Sequence, residues 1–194
     1  LQGINNKGGW AANARVITKL ADFSTINASG SIKTIGFGAV DQSLNERALD
    51  DTRQFNVSSN TELGKFFPKK SGISIPMYVG YSETHILPKF YPLVPDVELQ
   101  TRLDRAKSAE ERDSVRDAAI DFTSRYSINF TNVRINKVGG KKKPMPWSIS
   151  NFNATYAYSR EYRHNQEIEE SDANTYHGSL AYSYSPGFKG FYPL

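Results

Sequence analysis

The sequence contains no cysteine in its 194 residues. This absence excludes a disulfide framework, a thiolate metal site and a thiol nucleophile. The chain also lacks any apolar run of 18 residues, and its mean hydropathy is −0.55. A transmembrane helix is therefore excluded, whereas a membrane strand is not, because a barrel strand turns only every second side chain toward lipid.

No excess of one charge sign is present. The chain carries 24 basic and 20 acidic residues, for a net charge of +4, without a concentrated basic stripe. We therefore expect no nucleic-acid partner. The first residues, "LQGINNKGGW", lack the charged and apolar regions of a signal peptide. We expect the chain to be a section of a longer one.

What the sequence does contain is a two-residue alternation of apolar and polar side chains, typical of half-buried strands. It is clearest in "QFNVSSNTEL", residues 54–63, although Ser59 and Thr61 are polar members of the apolar set. The parity slips after Ile32, which predicts a bulge near Lys33 and Thr34. The alternation predicts about seven strands, at 10–20, 24–32, 54–63, 73–82, 121–131, 150–159 and 175–184.

The middle of the chain has a different character. Three prolines in "HILPKFYPLVP" predict that the sheet breaks at His85. Leu99 and Leu103 then follow at helical spacing, and Ser108 with Glu111 has the form of an N-terminal capping box. We therefore predict a loop and helical insert over 85–120, with its helices around 97–120.

The connectors between the predicted strands alternate between short and long, which would place all short turns at one end of a meander. Tyr and Phe number 11 each, and many lie near strand ends. Segments of about 9–11 residues suffice to cross a bilayer as tilted strands. These features predict an all-β fold, an antiparallel up-and-down meander forming part of a large transmembrane β-barrel. A soluble antiparallel β domain that binds carbohydrate or protein stays open, since alternation alone cannot distinguish lipid from a second sheet.

Four segments in series resemble the SprA (Sov) family of Bacteroidota over about residues 15–137. They are "ADFSTINASGSIKTIGFGAVDQ", "ELGKFFPKKSGISIPMYVGYSE", "KFYPLVPDVEL" and "YSINFTNVRINK". The family is the outer-membrane translocon of the type IX secretion system, which is also linked to gliding motility. The resemblance implies that residues 1–194 are a fragment of one giant transmembrane barrel that conducts folded proteins to the cell surface. A passive outer-membrane porin is the other membrane alternative.

The resemblance also implies partners and a location. It implies outer-membrane lipid, a PorV-type barrel, a periplasmic plug protein and secreted substrate proteins as partners, and the outer membrane as the location. It implies no cofactor and no catalytic residue.

In such a barrel the polar side of each strand would line the lumen and the apolar side would meet lipid or a partner. The predicted lumen-facing residues are Asn13, Arg15, Lys19, Asn56, Asn60, Glu62, Arg125 and Asn129. The predicted lipid- or partner-facing residues are Phe55, Val57, Leu63, Ile75, Val79, Tyr126, Ile128 and Phe130.

Other candidate sites are weaker. His85, His164 and His177 lack the spacing of a metal pair, so we predict no metal site. The acidic run at 167–172 lacks the ligand spacing of a calcium loop and suits a solvated loop. The three lysines at 141–143 suit a solvated turn better than a lipid headgroup site. No motif brings a serine, a histidine and an acid together, so we predict that the chain is not an enzyme.

Overall fold

The computed structural model describes residues 8–39, 41–43, 46–137 and 145–185. Within these ranges the chain forms ten strands and two α-helices. The strands are β1 (Ala11–Leu20), β2 (Ser24–Lys33), β3 (Asp50–Glu62), β4 (Ile73–Ser74), β5 (Pro76–Pro88), β6 (Phe90–Tyr91), β7 (Val94–Glu98), β8 (Asp121–Ile135), β9 (Phe152–His164) and β10 (Ser171–Tyr182); the helices are α1 (Leu99–Arg105) and α2 (Ala109–Asp117).

Seven long strands form one antiparallel sheet in which every strand lies beside its neighbour in the chain. The order is β1, β2, β3, β5, β8, β9, β10, and the short β4 pairs with the end of β8. The predicted all-β meander is therefore confirmed. The sheet does not close on itself, since β1 and β10 form its two edges in the described part of the chain. An open sheet of this kind is consistent with a section of a larger barrel.

The connectors lie at the two ends of the sheet. We call one end the turn end; its connectors are 21–23, 63–75 and 136–151. We call the other the loop end; its connectors are 34–49, 89–120 and 165–170. The predicted alternation of short and long connectors is wrong, because 165–170 is shorter than 63–75 and 136–151. The insert at 89–120 alone makes the loop end heavier.

The turn at 63–75 follows from its residues. Gly72 has φ of 66°, a left-handed conformation that glycine adopts without strain. Pro76 is the first residue of β5, a position that proline tolerates. The Glu62 carboxylate accepts bonds from the backbone N–H of Gly64 at 3.0 Å and of Ile75 at 2.6 Å. The chain therefore reverses direction here, and β5 pairs with β3.

Three strand ends differ from the predictions. Strand β2 ends at Lys33 without a bulge, and the irregularity lies instead in β8, where Asn132 has φ of 58°. Strand β5 does not break at His85 as predicted but continues to Pro88, its last residue. The gap of 160–174 between the last two predicted strands shrinks to 165–170, because β9 and β10 extend into it and Arg160 bonds Asp172 across them at 2.6 Å.

The insert contains the buried apolar cluster of the described residues. Tyr91 from β6, Leu99 and Leu103 from α1, and Ala119 after α2 pack together, with Leu87 and Val115 against them. The predicted cap is present, since Ser108 Oγ accepts the N–H of Glu111 at 3.1 Å. The described helices include none long and apolar enough to cross a membrane.

Candidate functional site

The register of the sheet assigns every strand residue to one of two faces. Residues directly opposite each other in an antiparallel pair project to the same side. Arg15 lies opposite Ser29, Ser29 opposite Asn56, Asn56 opposite Ser82 and Ser82 opposite Arg125. We call the side that carries this row the polar face and the opposite side the apolar face.

All eight residues predicted to face a lumen lie on the polar face. By register and parity this set is Asn13, Arg15, Lys19, Asn56, Asn60, Glu62, Arg125 and Asn129. Their strand neighbours on this face are mostly serine, threonine and asparagine, as the row Ser58, Ser127 and Ser159 illustrates. A continuous polar surface therefore runs across seven strands.

Ion pairs on the polar face join neighbouring strands. Arg125 Nε donates to Glu161 Oε2 at 2.7 Å, across β8 and β9. Lys33 Nζ lies 3.0 Å from Asp50 Oδ2, and Arg163 lies 3.3 Å from Asp121. These pairs are partly exposed, so each contributes about 0.2–1 kcal/mol at most.

The polar face contains two open depressions. One, of about 660 Å³, is lined by Lys19, Thr25, Asn60, Tyr78 and Asn129, which come from five neighbouring strands. A second, of about 350 Å³, lies along the same side.

The apolar face collects six of the eight residues predicted to meet lipid or a partner. These are Phe55, Val57, Val79, Tyr126, Ile128 and Phe130. Leu63 and Ile75 lie outside the long strands, in the turn at 63–75, where the Leu63 N–H donates to the Ile75 carbonyl at 3.0 Å. The parity of a strand thus predicts its face, but it does not apply once the chain leaves the strand.

Large apolar side chains on the apolar face are exposed or half-buried. The exposed fraction is 48% for Phe55, 61% for Val16 and 71% for Leu180. In the described ranges the buried apolar cluster belongs to the insert, which contacts this face at the loop end, near Leu87 and at His164. A large apolar surface without cover marks contact with lipid or with another protein.

Tyrosines and phenylalanines follow the apolar face across β8, β9 and β10. The rings of Tyr126 and Tyr158 lie 6.2 Å apart, those of Tyr158 and Tyr176 lie 5.0 Å apart, and those of Phe152 and Tyr182 lie 5.0 Å apart. Aromatic rings at these separations attract each other beyond simple burial.

Charged side chains mark the loop end of the apolar face. Counted from the turn end, the first charged side chain on this face is Arg53 on β3, Glu83 on β5, Arg160 on β9 and Asp172 on β10, whereas β8 has none as far as Phe122. Asp172 lies opposite Tyr162, at the level of Glu83, and bonds Arg160. The rest of this face, toward the turn end, is an uncharged zone.

A ring of three hydroxyls on the apolar face was not predicted from the sequence. Ser24 Oγ lies 2.8 Å from Thr61 Oγ1 and 3.2 Å from Ser59 Oγ, which lies 3.0 Å from Thr61 Oγ1. Each hydroxyl can donate to one member and accept from the other. Ser59 and Thr61, the polar residues that interrupt the alternation of β3, therefore hydrogen-bond to each other and to Ser24.

The histidines are placed separately. His85 lies 3.5 Å from Glu83, and His177 lies on the polar face. The described residues bring no group of three metal-ligating side chains together. The acidic run predicted as a solvated loop contributes Ser171 and Asp172 to β10. The lysines at 141–143 lie outside the described residues.

His164 joins three segments at the loop end. Its Nε2 lies 2.9 Å from the carbonyl oxygen of Asp117, at the end of α2, and its Nδ1 bonds the carbonyl oxygen of Glu169. Both partners are acceptors, so both ring nitrogens donate only in the charged imidazolium. The carbonyl of Glu169 and then that of Asp117 raise the pKa of His164 above its ordinary value.

The chain was compared with known proteins. A family model, SprA_N, described as a motility related/secretion protein, matches residues 1–103, which is more than half of the chain. This segment includes β1 to β7 and most of α1. No curated protein matches the chain.

Proposed function

Because the chain belongs to the SprA_N family of motility related/secretion proteins, we propose that its sheet is a section of an outer-membrane channel that conducts folded substrate proteins to the cell surface. The family is one of secretion and motility proteins and not of enzymes. In this proposal the polar face lines the lumen and the apolar face meets outer-membrane lipid.

One observation carries the proposal: behind its polar face the sheet has an exposed apolar face, which the described residues cover only where the insert reaches the loop end. In a membrane barrel such a face meets lipid, so no second layer of protein is needed to cover it. A soluble β domain would cover one face of the sheet with a second layer.

The polar face supports the same assignment. Its hydroxyl, amide and paired ionic groups suit a water-filled passage, since each binds water without exposing apolar surface to the passing protein. Passage of a folded protein through such a channel requires width and not catalysis. The strands beyond β1 and β10 would come from other parts of the barrel, and a PorV-type barrel and a plug protein would be its partners.

Adjacent residues of β3 provide the test. Ser58 lies on the polar face and Val57 on the apolar face, at the same depth. We would prepare Ser58→Cys and Val57→Cys in the full-length protein and treat intact outer membranes with a bulky, charged maleimide. The chain has no cysteine of its own, and the unmodified full-length protein gives the background.

The expected result is labelling at Ser58→Cys, with a loss of substrate secretion after labelling, and little labelling at Val57→Cys. Equal labelling at both positions would mean that water reaches both faces and would overturn the membrane assignment. Labelling at Ser58→Cys that leaves secretion unchanged would overturn the protein-conducting role.

A further inference from the structure

The connector before β9 displays large apolar side chains. Trp147 is 77% exposed, the highest value among the large apolar residues of the described ranges, and Ile149 and Met145 are 66% and 54% exposed. These three residues alternate along the segment, at every second position. Proteins in water rarely present several such side chains side by side without a partner.

The segment has a defined structure. Asn151, which is buried, donates from Nδ2 to the carbonyl oxygens of Met145 at 2.8 Å and Pro146 at 2.9 Å. The Ser148 N–H donates to the Met145 carbonyl at 3.0 Å. Two of its backbone carbonyls thus accept hydrogen bonds from within the protein. These bonds fix the backbone that carries the exposed side chains.

Tyr182 ties this segment to the apolar face. Its hydroxyl donates to the Pro146 carbonyl at 2.7 Å, and its ring packs on Phe152 at 5.0 Å. Both rings belong to the apolar face, as does the exposed Leu180. Trp147 and Ile149 therefore extend the apolar face beyond its strands, at the turn end.

The turn end is basic. It carries Lys65, Lys69 and Lys70 in the turn at 63–75, and Arg134 and Lys137 at the end of β8. The Asn136 N–H donates to the Gly72 carbonyl at 2.7 Å, so these two clusters are adjacent. The acidic residues of this end are Asp22, which forms an ion pair with Lys65, and Glu62, whose carboxylate accepts hydrogen bonds from the turn backbone.

From this arrangement we infer that residues 145–151 anchor the sheet in the interface of an anionic lipid leaflet at the turn end. Trp147 places its ring at the boundary between hydrocarbon and headgroups, where the indole N–H still reaches polar partners. The neighbouring cations attract anionic headgroups, at about 1 kcal/mol for each cation near the surface. The inference rests on the proposed membrane location.

Photocrosslinking identifies the occupant of this surface. The photoreactive residue p-benzoyl-phenylalanine would replace Trp147, and in a second variant Ile149, in the full-length protein in its outer membrane. Tyr176, on the apolar face, serves as a lipid-facing control, and Ser58, on the polar face, as a control that lipid does not reach. Adducts are then separated by mass into lipid adducts and protein adducts.

We expect lipid adducts at positions 147, 149 and 176 and none at 58. Lipid adducts at 176 without any at 147 and 149 would overturn the anchor and leave the membrane location standing. Absence of lipid adducts at all of these positions would overturn both. A protein adduct at 147 would identify a protein partner and also overturn the anchor.

The headgroup charge is tested in the same variants. After reconstitution, the yield of lipid adduct at 147 should be several times higher in vesicles that contain phosphatidylglycerol than in vesicles of phosphatidylcholine alone. The yield at 176, within the hydrocarbon, should be equal in both. Equal yields at 147 would contradict the role of the cations.

Discussion

The hydroxyl oxygens of Ser24 and Thr61 lie 2.8 Å apart across β2 and β3, on the face of the sheet that carries Phe55 and Val57. With Ser59 they form a closed ring of donors and acceptors. Such a ring allows hydroxyl groups to lie on an apolar surface, because none of them is left without a hydrogen-bond partner.

Removing one hydroxyl of this ring should destabilise the sheet more than removing all three. Ser24→Ala removes two of the three hydrogen bonds and leaves one hydroxyl hydrogen of the remaining pair without an acceptor, and a buried polar group that loses its partner costs about 1–3 kcal/mol. Replacing all three residues by Ala, Ala and Val leaves no orphan and should cost less than Ser24→Ala alone. Hydrogen exchange of the β2 and β3 amides in the lipid-embedded full-length protein measures both. A triple variant that opens more readily than the single one would contradict this expectation.

Glu62 should control the turn at 63–75. Its carboxylate binds the N–H groups of Gly64 and Ile75 and the hydroxyl of Ser74. Hydrogen bonds to a charged acceptor contribute about 1.5–3 kcal/mol. Glu62→Ala should therefore accelerate amide exchange at Gly64 and Ile75 by at least about tenfold, and Glu62→Gln by less.

Asp22→Ala is the matched control for Glu62. Asp22 lies at the same end of the sheet, and the hydrogen bond from Lys65 lowers the pKa of its carboxyl. Because this pair is exposed, its loss should leave exchange in the turn almost unchanged. Equal acceleration in both variants would mean that the general charge balance, and not the bonds of Glu62, holds the turn.

The contact of α2 with the 165–170 loop should weaken as pH rises. The carbonyls of Glu169 and Asp117 raise the pKa of His164, which lies beyond the uncharged zone of the apolar face. A raised pKa means that the stabilisation is complete below the ordinary pKa of about 6.5 and is lost as pH rises through the folded value. Exchange of the amides around 117–121, corrected for intrinsic rates, should therefore be slower at pH 6 than at pH 8.5.

His164→Phe keeps a ring at this position without its donors and should abolish the pH dependence. His177→Phe, on the polar face of β10, should retain it. The negative charges near His164 are Asp117 and Glu169, and the nearby Arg163 pairs with Asp121. A pH dependence that persists in His164→Phe would show that His164 is not its source.

The sequence predicts the strands and their faces well because each depends on local alternation. The alternation of apolar Phe55 and Val57 with polar Asn56, for example, is visible in the sequence of one strand. The predicted ends of β9 and β10 were wrong, because a run of charged residues predicts a loop. That Arg160 of β9 forms an ion pair with Asp172 of β10 depends on the pairing of the two strands. The hydroxyl ring joins residues 35 and 37 positions apart, so it depends on a register that no single strand records.

The insert affects how β5 and β8 meet. These strands pair from Met77 with Phe130 to Ile86 with Asp121, yet a long connector separates them in the chain. A flexible connector of that length would oppose closure through the conformational entropy lost on joining its ends. The insert has its own buried cluster of Tyr91, Leu99, Leu103 and Ala119, so it can order locally and shorten the effective loop. Mutations in that cluster should therefore slow the pairing of the two strands along their whole length, although the cluster contacts β5 at its end, through Leu87.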